Sequence, residues 1–115
     1  MSYRNRGRSY QKLGELQQSI EDSSKAIDLD PNYGEAYIDR SISHALLGEY
    51  RNAIEDCDNA LRLNPLDGGN YYWRGYLHKQ MKPWYRIKSK EAARDFARAK
   101  DLGYEPDESD LADIQ

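Results

Sequence analysis

Tyr3, Arg6, Gly7 and Tyr10 are spaced i, i+3, i+4 and i+7, one face of a 3.6-residue helix, and Gly14 then supplies a stop. A second stripe follows in Leu16, Ile20, Ser23, Ala26 and Ile27. It is closed by Asp30-Pro31, because a proline disfavours the helical conformation at the residue before it. The pattern predicts two short helices joined by a tight turn. Asn32, three residues before Glu35, is read as the cap that starts the next helix.

The same pattern returns after 34 residues. Tyr3, Tyr37 and Tyr71 form one column; Arg6, Arg40 and Arg74 a second; Gly7, Ser41 and Gly75 a third; Tyr10, His44 and His78 a fourth. The second half of the unit repeats through Ile20 and Ile54, Ala26 and Ala60, and Pro31 and Pro65. In the third unit Ala92, Phe96 and Ala99 follow Ala53, Cys57 and Ala60 by 39 residues, so five extra residues lie between Met81 and Ala92. Pro83 should end the preceding helix there and open a longer loop near 82–88. Small residues in the third column, facing Ala26, Ala60 and Ala99, let two helix backbones approach closely. One domain of three helix pairs is expected, with repeats over 1–33, 34–67 and 68–106 and an acidic segment over 107–115. In that segment Asp107 is placed to cap a short helix whose Leu111 and Ile114 face the last repeat.

These columns resemble the tetratricopeptide repeat, a 34-residue unit with aromatic, Gly, Ala and Pro positions at fixed intervals, and the resemblance spans residues 2–106. It implies an all-α fold: a right-handed superhelical solenoid of three helix-turn-helix repeats with a short C-terminal capping helix. Three departures stand out. Arg occupies the place of Leu before Gly7, Ser41 and Gly75, which is read as a tolerated variant; Ser19 and Ser23 replace Ala and an aromatic, making the first repeat the weakest in packing; and the third repeat carries the insertion.

In stacked repeats of this kind the first helices line a concave groove. The inward positions are Arg4 and Arg8, then Ile38, Asp39 and Ile42, then Tyr72, Trp73 and Tyr76. A wall that is basic, then apolar, then aromatic suits a peptide or extended protein segment carrying acidic and apolar residues. Tyr72, Trp73 and Tyr76 would anchor it, Ile38 and Ile42 form the floor, and Arg4 and Arg8 receive an acid, with truncation of Tyr72 and Tyr76 leaving the fold intact. Relatives that clamp the C-terminal carboxylate of heat-shock chaperones place Lys and Asn on the first repeat, Asn on the second, and Lys with Arg on the third. The matching residues here are Arg4 and Arg8, Asp39, and Gly69 and Trp73, so no such clamp is expected. A structural homodimer built through exposed repeat faces is the competing class.

Charge narrows the partner. The chain carries 17 Lys and Arg against 20 Asp and Glu, a formal charge of -3, which gives no overall attraction for nucleic acid or an anionic membrane. Residues 68–100 are locally basic, nine Lys and Arg against Glu91 and Asp95, but residues 15–67 hold four basic and twelve acidic residues and would oppose a long polyanion. Nucleic acid is therefore the remoter alternative, with contacts from Lys82, Arg86, Lys88, Arg94 and Arg98. His44 and His78 are read as packing substitutes for Tyr10 rather than metal ligands, and Cys57 as a buried thiol. The recurring pairs Glu21-Asp22 and Glu55-Asp56 are assigned to an outer, wet face, and Asp67-Gly68-Gly69-Asn70 to an inter-repeat turn. No nucleophile, base and orienting group coincide, so a non-enzymatic, cofactor-free protein in a cytoplasmic setting is expected.

Overall fold

The computed structural model describes residues 3–81 and 86–105, and all regular structure in them is helical. The helices are α1 (Tyr3–Lys12), α2 (Leu16–Leu29), α3 (Gly34–Leu46), α4 (Tyr50–Leu63), α5 (Gly68–Gln80) and α6 (Arg86–Asp101). They pair as α1 with α2, α3 with α4, and α5 with α6. None of them is long and apolar enough to cross a membrane. The chain forms two compact units, residues 1–65 with the first two pairs and residues 66–115 with the third. Within the stretch expected as a loop near 82–88, α6 already begins at Arg86. Residues 82–85 and the expected cap over 107–115 lie outside the described residues.

Three turns share one construction. Gly14, Gly48 and Gly103 have φ of 79°, 80° and 85°, the left-handed region in which a Cβ is unfavourable. Gly48 N–H donates to Ala45 O at 2.9 Å and Glu49 N–H to His44 O at 2.8 Å, the paired bonds of a Schellman stop, and the same two bonds recur at Gly14 and Gly103. At the other type of junction, Asp30 and Asn64 adopt φ of -145° and -141°, as the prolines after them require. Here one expectation is corrected: Asn32 does not cap α3. The cap position is Tyr33, without a side-chain bond, and Asn32 instead donates its N–H to Asp30 Oδ1 at 3.1 Å, so the turn is stabilised from its upstream side. Asp67 does cap α5, its Oδ1 accepting from Asn70 N–H at 3.1 Å.

In the first unit Ala26, Ile27, Ala36, Tyr37 and Ala60 form the apolar core, edged by Tyr33, Ile38 and Leu63. Beside it lies a polar layer that replaces the missing alanine and aromatic of the first repeat. Ser19 and Ser43 share a buried hydroxyl–hydroxyl bond of 2.8 Å, and Gln11 Nε2 donates to Ser43 Oγ at 3.0 Å. Ser23 is fully buried, and its hydroxyl makes no hydrogen bond among the described residues. An unsatisfied buried hydroxyl costs about 1–3 kcal/mol. Ser23→Ala is therefore expected to raise the unfolding free energy by about 1 kcal/mol, read from urea denaturation midpoints at constant slope.

Candidate functional site

Every repeat contains an arginine held on two sides. Arg6 Nε and Nη2 donate to the two carboxylate oxygens of Asp22 at 2.9 and 2.8 Å, and Arg40 makes the same fork to Asp56 at 2.9 and 2.7 Å. Arg74 repeats it on Asp95 at 2.9 and 2.8 Å. Each guanidinium also lies over the tyrosine three residues before it, at 5.3 Å from Tyr3, 5.8 Å from Tyr37 and 5.5 Å from Tyr71. Asp22, Asp56 and Asp95 are buried, so the assignment of Asp22 and Asp56 to a wet face is corrected: only Glu21 and Glu55 are exposed. The hydrogen bond from Arg6 holds the Asp22 carboxyl below its ordinary range, against the opposing pull of burial. The arginine column is thus the polar clasp of each hairpin, a role that reading it as a tolerated variant missed.

Histidine extends the clasp in two repeats. His44 Nδ1 lies 2.8 Å from Glu49 and its Nε2 3.7 Å from Asp56; His78 lies 3.0 Å from Glu91 and 3.9 Å from Asp95. Both occupy the column of Tyr10 and place an acid beside each ring nitrogen. Cys57 is buried with no disulfide. Among the described residues no group of three or more His, Cys, Asp or Glu is arranged to hold a metal ion.

Of the residues expected to bind a ligand, the first unit brings Arg4, Arg8 and Asp39 together across α1 and α3. Arg4 is already engaged: its Nε donates to Asp39 Oδ2 at 2.7 Å, its Nη1 pairs with Glu35 at 2.8 Å, and its guanidinium stands 5.7 Å from the Tyr33 ring. Asp39 is buried, and burial pushes its carboxyl up against the hydrogen bond and charge of Arg4 and the charge of Arg8. Arg4 is consequently no open acid receptor, which corrects that expectation. Arg8 is exposed and makes no ion pair among the described residues. Ile42 is half-buried on α3; Ile38 is half-buried as well, but it packs against the core and is a core-edge residue as much as a floor.

In the second unit Tyr72 is turned to internal use. Its ring lies 5.1 Å from Phe96 and 5.3 Å from Tyr104, both tilted, so it belongs to the packing of α5 on α6. The expectation that truncating Tyr72 spares the fold is corrected for that reason. Trp73 and Tyr76 stack on each other at 5.5 Å and 15°, half-buried on α5.

Comparison with known proteins agrees with this architecture. Models of the tetratricopeptide repeat match residues 2–33 and 34–67. No curated protein matches the chain. Among solved structures, the first TPR of Spaghetti (RPAP3) bound to the HSP90 peptide SRMEEVD is 23% identical over 97% of this chain and 84% of that one, with a TM-score of 0.83. The second TPR domain of human RPAP3, in complex with the HSP70 peptide SGPTIEEVD, is 21% identical over 98% and 89%, with a TM-score of 0.81. The Arabidopsis OM64 TPR domain is 21% identical over 96% and 87%, with a TM-score of 0.82. At these identities the structures establish the fold alone, but with the direct matches over two successive units and the three hairpins they make the conclusion plain: the chain belongs to the tetratricopeptide repeat family.

Proposed function

We propose that the protein is a non-enzymatic interaction adaptor, working in the cytoplasm, whose first-helix faces bind an extended segment of another protein. The observation that carries the reading is the α1–α3 face, where half-buried Ile42 lies on α3 and α1 contributes exposed Arg8. An aliphatic residue and an acid close together in a ligand would satisfy both. The third repeat has an apolar surface of its own in half-buried Trp73 and Tyr76, residue types that are enriched among binding hot spots. Solved relatives hold chaperone peptides that end in acidic residues, which supports peptide binding as the mode.

The terminal-carboxylate clamp is not part of the proposal. Arg4, the residue best placed to meet such a group, is already paired with both Asp39 and Glu35, which leaves no positive charge over for a carboxylate. The peptide SRMEEVD is expected to show no saturable binding by calorimetry. Selection from a random peptide library on the full chain is expected to enrich an acid next to an aliphatic or aromatic residue. Ile42→Asp should then weaken the selected peptides about tenfold with unchanged helical circular dichroism. No enrichment, or equal binding by the variant, refutes the assignment.

A further inference from the structure

The second and third repeats each have a cleft between their two helices, and the differences between the clefts isolate a site. In the second repeat it measures about 230 Å³ around Arg40, His44 and Asp56. In the third it is larger, about 360 Å³, around the counterparts Arg74, His78 and Asp95. What changes most is the outer wall: Glu55 and Asn59 on α4 give way to Arg94 and Arg98 on α6. The substitution replaces an acid and an amide by two cations one helical turn apart.

The charges inside the third-repeat cleft can be assigned one by one. Arg74 is consumed by Asp95, and Glu91 lies against His78 at 3.0 Å. Arg94 and Arg98 are exposed, and their guanidinium groups make no ion pair or hydrogen bond among the described residues. Arg98 is nevertheless positioned, standing 5.8 Å from the Tyr71 ring, which also carries Arg74 at 5.5 Å. Two guanidinium forks without carboxylate partners therefore border one recess with an aromatic wall. A carboxylate, or one phosphodiester of a nucleic acid, presents two free oxygens, which a single bidentate guanidinium fills. A phosphate monoester brings about -1.5 to -2 and three acceptor oxygens, enough for both.

We propose that the α5–α6 cleft, through Arg94 and Arg98, binds a phosphorylated side chain of a protein segment. The site is separate from the α1–α3 face and stands or falls without it. The test uses the full chain at fixed ionic strength and four probes: a short peptide with one phosphoserine, its unphosphorylated twin, inorganic phosphate, and a ten-nucleotide single-stranded DNA. Amide and arginine Nε resonances of α6 report the location. The phosphopeptide is expected to shift Arg94 and Arg98 and to bind about tenfold more tightly than its twin or inorganic phosphate. Arg94→Gln with Arg98→Gln should reduce that affinity about tenfold with unchanged helicity, whereas Ile42→Asp should not alter it. Installing the same forks in the second repeat, Glu55→Arg with Asn59→Arg, should create a second site. Equal binding of the twin or of inorganic phosphate, tighter binding of the oligonucleotide, or indifference to the double substitution on α6 overturns the proposal.

Discussion

Asp56→Ala is expected to lower the unfolding free energy by about 3 kcal/mol, a large share of what a chain of this size possesses. The side chains of Arg40 and Asp56 are 23% and 6% exposed, so the substitution strands a mostly dehydrated guanidinium that has lost the carboxylate holding both arms of its fork. The loss reaches beyond one hairpin. Arg40 Nη1 also donates to Ser24 Oγ at 3.1 Å, so the arginine that ties α3 to α4 ties the second repeat to α2 of the first. His44 Nε2, 3.7 Å from Asp56, loses an acidic neighbour at the same time. The charge pair itself need not be the source of stability, since well-packed apolar groups commonly replace a buried ion pair at little cost. Adding Arg40→Leu to Asp56→Ala should therefore recover at least half of the deficit. Denaturant unfolding of the two variants distinguishes an orphaned charge from lost packing: a double variant as unstable as the single one would mean that the stem of Arg40, rather than its charge, was what mattered.

The hairpins and the close-approach columns were legible in the sequence because they follow from period alone, whereas the cap of α3 and the start of α6 were not. Tyr3, Tyr37 and Tyr71 recur at 34 residues, and so do the helix-stopping Gly14 and Gly48. The clasp was half legible. The arginines stand out as a column, but the acidic pairs that contain Asp22 and Asp56 read as a solvent-facing strip of the second helix. A register signal was present nonetheless: Asp22 follows Ser19 by three and precedes Ala26 by four, Asp56 stands likewise between Ala53 and Ala60, and Asp95 between Ala92 and Ala99. Small residues at those offsets put each aspartate on the packed stripe, and a charge there demands a partner. Tyr72 failed for a different reason. Counting positions from Tyr71 places it on the inner face, but its role is decided by Phe96 and Tyr104, which are distant in sequence and close over its ring. The state of Arg4 was hidden in the same way, since both Asp39 and Glu35 come from another helix.

Gly75→Ala is expected to cost about 2 kcal/mol, against the gain of about 1 kcal/mol that the same exchange brings in an unconstrained helix. A Cβ at residue 75 would stand 2.8 Å from Cε1 and 2.9 Å from Cδ1 of Phe96 and 3.1 Å from Cβ of Asp95, so the ring must move or the clasp must open. Moving the ring disturbs its contact with Tyr72 at 5.1 Å, and opening the clasp lengthens the Arg74–Asp95 fork. The protein's own second repeat shows how the conflict is relieved. Ser41 fills the glycine position there, fully buried and bonded through its hydroxyl to Ala53 O at 2.7 Å, and the residue in the aromatic column is Cys57 instead of Phe. Size at the first-helix position and size at the facing second-helix position are therefore traded against each other. A double-mutant cycle of Gly75→Ser and Phe96→Cys should reveal a favourable coupling of about 1–2 kcal/mol, because the smaller thiol makes room for the added side chain. Additive losses in thermal and denaturant unfolding would show that Gly75 is needed for its backbone alone, and that the ring of Phe96 does not set the distance between α5 and α6.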